Sequence, residues 1–212
     1  TSIQRARLFT IVLSVVGLAL SYIALDQHVA YSHGFVTGPS FCHLNAHLNC
    51  EAVNTSEYSM VFGLPVAAYG IFLYSLLLIG SLATSSAGRI ISLHTWSAIV
   101  LLISVGASLL SVVLFGISEA LIGALCLMCL GTYLVNFLIL GAVWRAGWGG
   151  RFGEGIRFGL RETQRLIGTV IGVASVPQES SPWRLRLVSL IVVLSGVISA
   201  LLPEPVSYTH LR

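Results

Sequence analysis

Lysine is absent from this 212-residue chain, and charge of either sign is scarce: eleven arginines and eight carboxylates make up 9% of the residues. A soluble domain carries about 25% charged and 45–50% apolar residues, whereas 56% of this chain is hydrophobic. So little charge cannot coat a globule of this size. An ordinary soluble enzyme, a disordered tail and a nucleic-acid binder are thereby excluded, and the composition is that of a helical membrane protein. Internal repeats are also lacking. No small-residue cleavage site precedes Asp26-Gln27-His28, so the first apolar run is expected to be retained rather than removed as a signal peptide.

The few charges are clustered, and the gaps between them define five candidate spans: 8–25, 60–83, 90–115, 120–144 and 185–202. Each matches the roughly 17–25 residues that cross a hydrocarbon core, the third with some tilt. If the N-terminus faces the cytoplasm, ten of the eleven arginines fall on that side, among them Arg5, Arg7, Arg89 and the group from Arg145 to Arg186. That is a positive-inside pattern, and it places the protein as a multi-pass protein of the cell (inner) membrane. The net charge of +3 then reflects topology and attraction to anionic lipid. The 26–59 loop, the turn near Gly116–Glu119 and the C-terminal end face the periplasm or outside. Arg212 is the exception. It lies in 206–212, a run resembling an in-frame read of a sequencing-library adaptor, which is expected to be non-native, with the natural sequence continuing beyond Pro205.

Four cysteines carry the chemistry. Cys42 and Cys50 (C-x7-C) belong to the outer loop, in water. Cys126 and Cys129 (C-x-x-C) are expected in the second and third turns of span four, Cys129 roughly 14 Å from its outer end. Cysteines outside the cytoplasm tend to pair, and a solvent pair followed by a membrane pair has the layout of an electron relay. Residues i and i+3 share a helix face, so their sulfurs can close and open a disulfide with little backbone movement. A helix start favours the thiolate, which is the attacking species in exchange through mixed disulfides. Tyr133, four residues after Cys129, shares that face, and a buried C-x-x-C beside a phenol suits a lipid-soluble two-electron acceptor, a quinone.

Other readings of these cysteines compete. Leu130 stands where covalent c-type haem needs histidine. A four-thiolate zinc site has poor spacing in C-x7-C and would need half its ligands inside the membrane, so no metal is expected. Two structural disulfides remain open, although an i,i+3 disulfide closes almost no loop and stabilises little. His43 and His47 are either metal ligands, proton donors to the quinol or polar loop surface; Asp26, Glu51 and Glu57 are either proton relays or solvated surface. His94 is expected to reach toward the inner headgroups, with Trp144, Trp148 and Trp183 forming an inner aromatic belt. Asn54-Thr55-Ser56 matches a glycosylation sequon.

The order Cys42-x7-Cys50, Ser56, Phe62-Gly63-Leu64-Pro65-Val66, then Cys126-x-x-Cys129 with Tyr133 resembles the vitamin K epoxide reductase family, and Cys50-Glu-Ala-Val-Asn-Thr-Ser56-Glu-Tyr58 is similar to its bacterial members. The resemblance implies an all-α membrane protein: a four-helix bundle around a quinone, capped on the outside by loop 26–59, with a fifth transmembrane helix. It implies that Cys129 meets the quinone, that Cys126 exchanges with the loop pair, and that Cys42 and Cys50 collect electrons from a thioredoxin-like protein or fused domain. Ser56 would help hold the loop over the site, and Tyr133 would face the quinone. Val66 stands where vertebrate members place an asparagine on the naphthoquinone oxygen, which favours plain quinone reduction over epoxide reduction. The Dsb-type disulfide oxidases carry their cysteine pairs in the reverse order.

The expected organisation is a catalytic domain over 1–145, a cytoplasmic linker over 146–182, a fifth transmembrane helix within 183–205 and the tail 206–212. Within the linker, Phe152, Ile156, Leu160 and Ile167 recur at helical spacing between arginines, as in an interfacial helix. The expected activity is transfer of electrons from a thioredoxin-like partner to ubiquinone, menaquinone or a vitamin K-like quinone, in support of disulfide formation in exported proteins. A non-catalytic scaffold with structural disulfides is the alternative of a different class.

Overall fold

The computed structural model describes residues 2–32, 42, 45, 47–84, 92–149 and 151–170. All of them belong to one compact unit, residues 1–175. The fifth span at 185–202 and Trp183 lie outside the described residues.

Four long helices form the body: α1 (Ser2–Ser32), α3 (Val66–Ala83), α4 (Leu93–Ile117) and α5 (Leu127–Val143). Each is long and apolar enough to cross a membrane, where an α-helix satisfies every interior backbone group by itself. The fold is thus the expected all-α membrane protein, with different boundaries. α1 is 31 residues long, roughly 45 Å at 1.5 Å per residue, which outruns a hydrocarbon core of about 30 Å. Its C-terminal turns therefore reach the loop that carries the first cysteines. Residues 60–65, expected as the start of span two, instead form a hairpin of β1 (Met60–Val61) and β2 (Leu64–Pro65), and α3 begins only at Val66. Pro65 stands just before that helix as its N-cap.

α1 packs on both α3 and α5, α5 packs on α4, and α3 and α4 touch little. Close approach of α1 to α3 depends on Gly17: a Cβ there would fall on the ring of Tyr74. In lipid, where helix association gains little from the hydrophobic effect, such tight packing and interhelical hydrogen bonds hold the bundle. Tyr74 of α3 donates to Asn136 Oδ1 (3.0 Å) and approaches the Thr132 carbonyl of α5 (3.1 Å), while Asn136 Nδ2 donates to Ser111 Oγ of α4 (2.9 Å). Near the other end Trp96 Nε1 donates to Ser81 Oγ, tying α4 to α3 (3.1 Å).

The linker residues 152–170 form α6 (Phe152–Val170), which lies along α4 with Gly159 against the Ala98 carbonyl. Trp148, placed in an aromatic belt by its position in the sequence, is instead 5% exposed. Its ring packs on His94 (4.7 Å between centroids) and Phe158 (6.0 Å). The reason is α6, whose aromatic face covers it. His94 is exposed but held by these rings rather than extended alone, and Trp144 keeps 44% exposure.

Gly17→Val should overpack the α1–α3 seam. A loss of about 1–3 kcal/mol is expected, read as a lowered midpoint of thermal unfolding in detergent; an unchanged midpoint would mean that the two helices do not meet there.

Candidate functional site

The site begins with a broken helix. α4 runs on through a π-helical turn, Ser118–Ile122, and stops at Gly123, whose φ of 70° lies in the left-handed region that a side chain disfavours. The next residues are extended, and α5 starts at Leu127 rather than near residue 120. Their backbone is therefore free to pair. Leu125 forms a parallel bridge with Leu48: Asn49 N–H donates to the Leu125 carbonyl (2.9 Å) and Leu125 N–H to the His47 carbonyl (2.7 Å). The cysteine loop is thus stitched to the start of α5.

Each segment leaves that bridge into a helix, with a cysteine at or immediately before the helix's first residue. Asn49 caps the short helix α2 (Cys50–Asn54), its side chain accepting from the N–H groups of Glu51 (3.1 Å) and Ala52 (3.2 Å). Cys50 is the first residue of α2. On the other side Cys126 is the N-cap of α5 and Cys129 its third residue. Both cysteines of the C-x-x-C thus occupy the first turn, not the second and third as expected from an uninterrupted span. Both are free thiols, and the two stand three residues apart on one face of that turn.

Cys42 and Cys50 are joined as a disulfide with a Cα–Cα distance of 5.6 Å, while Cys126 and Cys129 are free thiols. The sulfurs of Cys42, Cys50 and Cys126 all lie within 4.8 Å of one another. Three thiolates at such spacing can also hold a metal ion, but two of these sulfurs are bonded to each other. The loop pair is not in water as expected: Cys42 is 1% and Cys50 0% exposed, and Cys126 1%. The backbone bridge accounts for this, since it presses the loop into a separate apolar cluster with Ala24, Val53, Ala124 and Met128.

Below the cysteines a cavity of about 430 Å³ opens between α1, α3, α4 and α5, within the range of small-molecule sites. Cys129, Tyr133, Val66 and Ser56 all border it, whereas Cys126 stands with the disulfide. Cys129, Tyr133 and Asn136 follow each other at i, i+4 and i+7, on one face of α5. Ser56 Oγ donates to the Val53 carbonyl (2.7 Å), bracing the end of α2. His28 Nδ1 meets the Asn54 carbonyl (2.8 Å) and fixes the same turn from α1.

The remaining candidates do not converge on this cavity. His47 Nε2 pairs with Glu119 Oε2 at 3.3 Å on the exposed surface, where such a pair contributes at most about 1 kcal/mol. Asp26, Glu51 and Glu57 are exposed, and His43 lies outside the described residues. Tyr74, Asn136 and Ser111 were not singled out in the sequence, yet all three border the cavity. Asn136 had a signal, its i+7 spacing from Cys129; Tyr74 and Ser111 had none. Asn54, noticed only as a sequon, is 8% exposed and borders the cavity too, so burial withholds it from glycosylation.

The family model described as the Vitamin K epoxide reductase family matches residues 8–144. Comparison with curated proteins gives no match.

Gly123→Val should strain the break that frees Leu125 for pairing, at a cost of about 1–2 kcal/mol. We expect lower thermal stability together with faster reduction of the Cys42–Cys50 bond by a bulky phosphine. Unchanged reduction kinetics would mean that the bridge does not shield the disulfide.

Proposed function

The chain belongs to the vitamin K epoxide reductase family, and from that premise we propose that it is a membrane thiol–quinone oxidoreductase supporting disulfide formation in exported proteins. The family and the helices make it a membrane redox enzyme with a disulfide pair. The observation that carries the finer reading is the position of Cys126, whose sulfur is beside the Cys42–Cys50 disulfide while Cys129, three residues on, borders the cavity.

In this reading the dithiol of a thioredoxin-like protein or domain reduces the Cys42–Cys50 disulfide. The resulting loop thiolate attacks an oxidised Cys126–Cys129 pair at Cys126, and a mixed disulfide resolves to leave Cys126 and Cys129 reduced and the loop pair oxidised again. Each exchange breaks one disulfide and forms one, so electrons and protons balance. The described state, loop pair joined and helix pair free, is the one that precedes delivery to the acceptor. A bound quinone takes two electrons and two protons and leaves as the quinol. Cys129 hands over from the first turn of α5, and the Tyr133 hydroxyl, one turn further, orients a quinone oxygen. An apolar cavity between helices, with few polar groups, fits such an isoprenoid-tailed acceptor; ubiquinone, menaquinone and a vitamin K-like quinone all meet this description. The narrow contact between α3 and α4 offers a way in from the bilayer.

Burial of the loop disulfide means that a partner reaches it only when the cap lifts. Val66 brings no polar atom to the cavity, which favours quinone over epoxide reduction. A scaffold with structural disulfides gives no reason for free thiols beside a cavity. The arginine distribution supports an orientation with the N-terminus in the cytoplasm and the cysteine end in the periplasm or outside, in the cell (inner) membrane. α6 fits the inner headgroup layer, with Phe152, Leu160 and Ile167 exposed on one side and Arg157 and Arg161 on another.

The test is coupled turnover. Protein in nanodiscs with ubiquinone-1 or menadione should oxidise a reduced thioredoxin-like protein, and Cys129→Ala should reduce the rate to background. Retained turnover in that variant would falsify the relay.

A further inference from the structure

We propose that Asn54 is a second hydrogen-bond donor of the acceptor site, holding from the cap loop the carbonyl oxygen that Tyr133 does not hold. The inference rests on the quinone reading above and adds to it a positioning and specificity-determining residue.

Three observations carry it. First, Asn54 borders the cavity and is 8% exposed, and its Nδ2 is buried with no hydrogen-bond partner among the described residues. A buried amide left unpaired is costly, and more so where hydrocarbon replaces water. An amide is readily turned about its last bond, so either face can be offered to the cavity. Second, the residue is held in place by everything except its own side chain. Asn49 caps the helix start, Ser56 braces the Val53 carbonyl, and His28 meets the Asn54 carbonyl itself. The backbone is thus fixed while Nδ2 is left unpaired, as expected of a ligand contact rather than a structural one. Third, the placement is right. Val53 packs in the same cluster as Cys126 and Met128, with Cys129 against it, so α2 covers the cavity where the reacting sulfur borders it.

Asn54 and Tyr133 come from different elements, the cap and α5, as two oxygens on opposite edges of a quinone ring require. Val66, which also borders the cavity, has no polar side-chain atom to compete. The same five-residue helix bears Cys50 at its first position and Asn54 at its last, so the loop disulfide and the acceptor contact move as one body.

The experiment uses the full chain in nanodiscs with 1,4-naphthoquinone as probe, comparing the wild type with Asn54→Leu and Asn54→Ala. Losing one hydrogen bond to the acceptor should raise KM for the probe roughly tenfold. The rate of thiol exchange between the loop pair and Cys126 should stay the same. Infrared spectra of bound probe, labelled with 13C at its carbonyls, should show one carbonyl band moving to higher frequency in both variants, a change that a merely structural role would not produce. Unchanged KM and carbonyl bands in the variants, with an active wild type, would overturn the assignment. If the wild type neither binds nor reduces the probe or ubiquinone-1, the quinone reading itself fails, and this assignment with it. Where Asn54→Leu does not fold, Asn54→Ala carries the same readouts.

Discussion

A pair of backbone hydrogen bonds, Asn49 N–H to Leu125 and Leu125 N–H to His47, is the constraint on which the rest of the site depends. A membrane helix normally spends all its backbone donors and acceptors on itself. Here Gly123 ends one helix, and a short extended stretch intervenes before the next, so Leu125 has a free N–H and carbonyl at the edge of the bundle. The loop supplies the partners. Because the bridge is parallel and both chains then turn into helices, Cys50 and Cys126 emerge side by side. The proximity of the Cys126 sulfur to the Cys42–Cys50 disulfide thus follows from the register of the bridge.

The same bridge divides the interior into two regions with different tasks. Above it, the disulfide and Cys126 are sealed in an apolar cluster, where stray thiols and water have no access. Below it, Cys129 opens onto a cavity whose far wall is tied together by Tyr74, Asn136 and Ser111. That network links three helices at the depth where lipid offers no alternative partner, so it keeps the cavity open without filling it. Cys126 and Cys129, three residues apart, are on the two sides of the boundary. In the proposed relay, electron transfer from one region to the other needs only the short reach within one helical turn.

The large features were legible in the sequence because they depend on amounts and periods. Scarce charge and long apolar runs foretold four of the spans, and the order of the cysteines with Tyr133 foretold the family that the comparison identified. What was not legible depends on backbone interruptions that barely change composition. The sequence places the turn near Gly116–Glu119, beside a lone carboxylate, whereas the helix runs on to Gly123, and that later break moves Cys126 to a helix start. The 60–65 stretch reads as the start of a span although its backbone turns twice. Burial of Cys42 and Cys50 comes from a pairing between distant segments, and that of Trp148 from the covering of α6; neither leaves a local trace. Asn54 was masked by a motif that its surroundings make irrelevant.

The central claim is that the loop pair and the helix pair exchange directly through Cys126. Mass spectrometry on two double variants, Cys42→Ala/Cys129→Ala and Cys50→Ala/Cys129→Ala, measures this without reference to any acceptor. Each leaves Cys126 facing a single loop cysteine. The account predicts that a mixed disulfide to Cys126 accumulates in at least one of them under mild oxidation. Folded protein with unlinked thiols in both would contradict it.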